Sequence, residues 1–119
     1  MFVDGFVLVV KKKQLEAYEK LAKAAKKYFK KAGALDYVEA VSDGAKPHCG
    51  VSFAQTMKAK KDEVVIFSWI AYKSKKARDK ANAGMFTDKD LAAALPKDGA
   101  MPFDMEKMVT GGFDSLVTF

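Results

Sequence analysis

"VVIFSWIAY", residues 64–72, places Val64, Ile66, Ile70 and Tyr72 on one side of an extended chain and Val65, Phe67, Trp69 and Ala71 on the other, because successive side chains of a strand point to opposite faces. Both sides are apolar. A strand in a sheet with one wet face alternates apolar and polar residues, so this one must be covered twice. "FVDGFVLVV", residues 2–10, repeats the pattern, with Phe2, Phe6, Leu8 and Val10 on one face and Val3, Val7 and Val9 on the other. Two central strands are therefore expected.

The period changes between them. From Gln14 to Ala32, Leu15, Tyr18, Ala22, Ala25 and Phe29 recur at helical spacing while lysines fill the other side, which predicts an amphipathic helix. Gly33 supplies a left-handed cap, and Lys26, Lys27, Lys30 and Lys31 sit where the helix dipole favours cations. Residues 35–42, "LDYVEAVS", read as a second strand, and "DGAKPHCG" after it as a loop. Residues 51–57 fit either a short strand or a helical turn. Ser74 is placed to cap a helix over Lys75 to Met85, extended or followed by another turn around Asp88 to Leu95 and ended by Pro96 and Gly99. A terminal strand is expected over Val109 to Phe119, entered through Gly111 and Gly112.

The order βαββαβ is that of the α+β ferredoxin-like plait, an antiparallel sheet with both helices on one face. Two helices cover one face only. The economical cover for the other is an identical sheet, which predicts a face-to-face homodimer with a shared barrel-like core.

Composition sets the remaining bounds. A chain of 119 residues, half of them hydrophobic, is read as one domain, residues 1–119. No apolar run has the length of a membrane span and no signal-peptide pattern opens the chain, so a cytoplasmic setting is expected and no membrane partner. Cys49 is the single cysteine, which excludes an internal disulfide and any CxxC motif. The net charge of +6 invites an RNA partner. Yet Arg78 is the only arginine, and lysine lacks the forked donor that reads bases or phosphates. Val64 to Tyr72 also contains no basic residue, so the stacking platform of RNA-binding plaits is missing and RNA is disfavoured. "TGGF" lacks the lysine and spacing of a phosphate-binding loop.

Separated segments in fixed order carry a further signal: "VDGFVLVV" at 3–10, "GAL" at 33–35, "FSWIAY" at 67–72, "ARDKANAGM" at 77–85, then "MPFD" and "GGF" within 101–113. Together they resemble the YbaA-like bacterial proteins, a domain-of-unknown-function family. The resemblance implies a ferredoxin-like plait of the dimeric α+β barrel group and brings no established activity. This chain has Lys73 where the family often has proline and Lys107 where it often has arginine, and a lysine at 107 cannot grip an anion with two parallel bonds.

The ligand-binding candidates are Trp69, Arg78, Asn82, Asp104 and Glu39. Arg78 and Asn82 share a helix face, beside Asp79. Arg78 can hold a ligand carboxylate or pair with Asp104, and the plainer alternative is a salt bridge fastening the second helix to the last loop. Asp104 can instead cap a turn at Met105 to Lys107. Trp69 offers area and one donor to a ligand, against a core or interface role. Glu39 can serve as a base if a cavity reaches it, against a solvated strand carboxylate. His48 and Cys49 are neighbours in a loop without further ligands, so no metal and no cofactor are expected. The function these features favour is an apolar cavity between sheet and helices for a small apolar molecule or aromatic acid, with cofactor-free catalysis as its enzymatic form. The alternative is a binding or regulatory module whose basic helix face, Lys20 to Lys31, meets RNA or an acidic protein.

Overall fold

The structure, a computed structural model, describes all of residues 1–119. Strand β1 (Phe2–Lys11) passes through a 3-10 turn into helix α1 (Leu15–Lys31); β2 (Asp36–Val41) follows, then a short helix α2 (Phe53–Thr56) and β3 (Glu63–Tyr72). Helix α3 (Lys75–Gly84), a 3-10 turn and helix α4 (Lys89–Ala94) lead to β4 (Val109–Asp114). The sheet order is β2-β3-β1-β4, antiparallel throughout. This is the ferredoxin-like plait, with the two doubly apolar strands at its centre.

Local chemistry sets the element ends. Ser74 accepts from the Ala77 amide at 3.1 Å to start α3, and Asp88 accepts from the Leu91 amide at 2.9 Å to start α4. Gly33 has φ of +100°, the left-handed conformation that ends α1 without a Cβ penalty. The ambiguous residues 51–57 form the helical turn α2, because the Ser52 hydroxyl takes the Gln55 amide. The last strand is shorter than the expected Val109 to Phe119. The Ser115 amide bonds to the Met1 carbonyl, where β1 begins, so residues beyond it have no strand to pair with, and Leu116, Val117 and Phe119 are exposed.

Register assigns the faces. Phe2, Asp4, Phe6, Leu8 and Val10 of β1 and Ile66, Ser68, Ile70 and Tyr72 of β3 turn towards the helices. There Tyr28, Phe29, Ile70, Tyr72, Ala81 and Leu91 form one core cluster and Leu8, Val10, Tyr18 and Ile66 another. The opposite face is covered at one end only, where α2 brings Met57 onto Val9 and Val65. The molecule measures 41 × 37 × 20 Å; the short dimension accommodates one sheet and one helical layer at about 10 Å each. The rest of the second face is open.

Candidate functional site

The open face is a trough of about 570 Å³. Two glycines lie side by side in its floor: Gly5 of β1 is opposite Gly111 of β4 on one edge and Trp69 of β3 on the other. The Phe113 ring folds back over the two glycines, and a Cβ on either would meet it at ordinary contact distance. Val3, Val7, Phe67, Trp69, Ala71 and Val109 form the sides, and Asp36 carries the one charged side chain of the lining. Phe53, Phe67 and Trp69 run as an edge-to-face series, each step 5.7 Å between centroids. The expected apolar cavity between sheet and helices is thus displaced. The space beneath the helices is occupied by the two core clusters, and the trough lies on the other side of the sheet.

Trp69 is the one ligand-binding candidate in this trough. Arg78 lies on the helix side, where its Nη1 donates to Asp4 Oδ1 at 2.6 Å and its Nε to Asp79 Oδ1 at 2.8 Å. Its guanidinium carbon sits 4.7 Å from the Phe2 ring centre, within cation–π range. The expected pairing of Arg78 with Asp104 is not made. Register brings Asp4, not the last loop, under α3, while the Asp104 carboxylate accepts from the Glu106 amide at 3.0 Å and caps the turn at Met105–Lys107. Asn82 is exposed on α3. His48 and Cys49 are exposed in the loop after β2.

Burial pushes the Asp4 carboxyl above its ordinary range, and the charge and hydrogen bond of Arg78 pull it part of the way back. Nearby, the Tyr72 hydroxyl is fully buried without a hydrogen-bond partner. Its desolvation, then the charge of Asp4, raise its pKa well above the usual phenol range.

Glu39 occupies a different setting. It stands opposite Ser68 on the helix-facing side of β2, half-buried. Its Oε1 accepts the Tyr18 hydroxyl and its Oε2 the Tyr37 hydroxyl, both at 2.6 Å. Desolvation, then the bond to Glu39 and its charge, hold both phenols far above their ordinary pKa, so both remain protonated donors. Sequence reasoning placed Tyr18 in an apolar stripe and missed this role. The available signal was Tyr37 two residues before Glu39, on the same strand face.

A two-layer sheet of this order, with an apolar outer face, defines the class of ferredoxin-like α+β plaits. The family model described as "Protein of unknown function (DUF1428)" matches residues 1–105, and the chain belongs to that family. The uncharacterized protein YbaA of Escherichia coli is 38% identical over 116 residues, covering 98% of this chain and 97% of that protein. Among solved structures, a dimeric ferredoxin-like protein from an uncultured marine organism superposes with a TM-score of 0.63 at 13% identity, over 100% of this chain and 98% of the other. An uncharacterized NIPSNAP domain protein from Burkholderia xenovorans gives 0.53 at 14% identity, over 97% and 94%. At such identities the likeness is one of fold. No helix of the chain is long and apolar enough to cross a membrane.

Proposed function

We propose that the chain works as a single-domain cytoplasmic homodimer whose two open sheet faces meet, and that the barrel so formed holds a small neutral apolar molecule against Trp69 and Phe113. The observation that carries this reading is the apolar trough, whose volume of about 570 Å³ falls in the range of small-molecule pockets. Only 18 of 119 residues are buried although half the chain is hydrophobic, so a second copy has apolar area to cover. Two molecules of charge +6 repel each other. The trough has no lysine or arginine in its lining, so this is the face by which two copies approach at least cost. The marine neighbour described as dimeric supports the same assembly by analogy of fold.

The lining also selects among ligands. An aromatic acid would meet the Asp36 carboxylate and no lysine or arginine side chain; the Met1 ammonium is taken by the Ser115 hydroxyl, and Arg78 is engaged by Asp4 on the far side of the sheet. A neutral ring system fits better than its carboxylate. Sedimentation velocity should give a dimer at micromolar concentration, and a monomer would end the reading. Trp69, the only tryptophan, should show saturable quenching with naphthoquinone and little response to naphthoate. A dimer with unresponsive Trp69 emission would leave the assembly standing and remove the ligand.

A further inference from the structure

We propose that Glu39, Tyr18 and Tyr37 form a binding site for an organic ammonium ion, on the helix-covered side of the sheet and independent of the open face. Glu39 accepts one tyrosine proton on each carboxylate oxygen. Those two hydroxyl protons are therefore spent inside the cluster. A carboxylate offers about four lone-pair positions, and each phenolic oxygen can still accept. What the cluster presents outward is acceptors and a negative charge, which select a ligand that donates and is positive.

The surroundings lack such a cation. In a chain with 21 lysines and arginines, none of the four ion pairs includes Glu39. Neutral hydroxyls donate to the carboxylate without cancelling its charge. Aromatic rings adjoin the cluster: Phe29 stacks with Tyr37 at 6.1 Å between centroids, and Phe103 meets Tyr18 edge-on at 5.9 Å. Ring faces attract cations, and a carboxylate among aromatic rings is the chemistry that recognises alkylammonium groups. Solvent reaches Glu39, since it is only half-buried. Ser68, opposite Glu39 in register and 4% exposed, adds a hydroxyl beside the carboxylate.

The test titrates the full chain with phenethylammonium, following the tyrosine ring signals by NMR, with phenylethanol and phenylacetate as isosteric controls. The expected result is a saturable shift of the Tyr18 and Tyr37 signals with the ammonium and not with the alcohol or the acid. Glu39→Gln should weaken binding about tenfold or more, because the countercharge is gone. Tyr37→Phe, which frees a lone pair and keeps the charge, should bind as well as the natural chain or better. Equal affinity for alcohol and ammonium, unchanged affinity in Glu39→Gln, or no saturation by about 20 mM would overturn the proposal. If Glu39→Gln fails to fold, the comparison of ammonium with alcohol on the natural chain decides alone. Neither outcome depends on whether the chain dimerises.

Discussion

Arg78 reaches back across the helix–sheet interface to Asp4, Nη1 to Oδ1 at 2.6 Å, with the side chains 19% and 8% exposed. The contact joins α3 to the first strand, 74 residues earlier. Arg78→Ala leaves the Asp4 carboxylate buried without its cation and should cost about 2–4 kcal/mol. The pH dependence has a definite sign. A carboxyl whose folded pKa lies above its unfolded value takes up a proton on folding, so its contribution improves as pH falls through the window above 3.8. Without the guanidinium the Asp4 value rises further. The deficit of Arg78→Ala should therefore be largest near neutral pH and shrink in mild acid, as urea unfolding at the two conditions would register. Unaltered stability at both would refute the structural role.

Asp88 gives the opposite sign. It caps α4 through the Leu91 amide and takes Lys31 Nζ at 2.6 Å, joining the end of α1 to the start of α4. The Lys31 bond first, then the Leu91 amide, hold the Asp88 carboxyl below its ordinary 3.8. A depressed carboxylate stabilises above its unfolded pKa, and that stability is lost as pH falls through the lower folded value. Asp88→Asn retains a capping acceptor and loses the charge. Its Tm should drop near neutral pH, less so at high salt because Lys31 is exposed, and should converge on the natural chain in strong acid. Calorimetry across pH checks the convergence.

Gly112 is where a buried ring lies close against the backbone of β4. A Cβ there would lie 2.6 Å from Phe2 Cζ and 2.9 Å from its Cε2, and Phe2 is buried at 5% exposure with the Arg78 guanidinium over its ring. Gly112→Ala must displace that ring, at about 1–3 kcal/mol. Gly111→Ala, whose Cβ would meet Phe113 at 3.6 Å, should cost little of this. Adding Phe2→Leu to Gly112→Ala should recover part of the loss. Equal denaturation midpoints for Gly111→Ala and Gly112→Ala would contradict the packing.

The sheet was legible because its two central strands are apolar at both parities, and the helices because their periodicity and caps are local signals. What escaped was set by register. The end of β4 depends on where β1 starts, so Leu116 to Phe119 looked strand-like without a strand to pair with. Asp4 became the partner of Arg78 because β1 turns it under α3; Asp104, nearer in sequence, was already occupied by the Glu106 amide. Tyr18 fits an apolar stripe as well as it fits Glu39, and periodicity does not see a hydroxyl. Trp69 and Glu39 were both candidates, yet β3 and β2 turn them to opposite sides of the sheet.

That separation of faces makes the proposed assembly testable by placing charge. Phe113 is 62% exposed on the open face, and in a face-to-face dimer its ring would be enclosed. Phe113→Lys would bury an unpaired ammonium at each of two related positions, a cost of several kcal/mol that a micromolar dimer of about 8 kcal/mol cannot absorb. Phe86 is more exposed, at 85%, but lies in the turn after α3, away from the trough lining. Phe86→Lys should therefore leave the dimer intact. Sedimentation velocity should give monomer for the first variant and dimer for the second, with matching far-ultraviolet circular dichroism for both. A dimer that survives Phe113→Lys and dissociates with Phe86→Lys would move the interface from the open sheet to the helical layer.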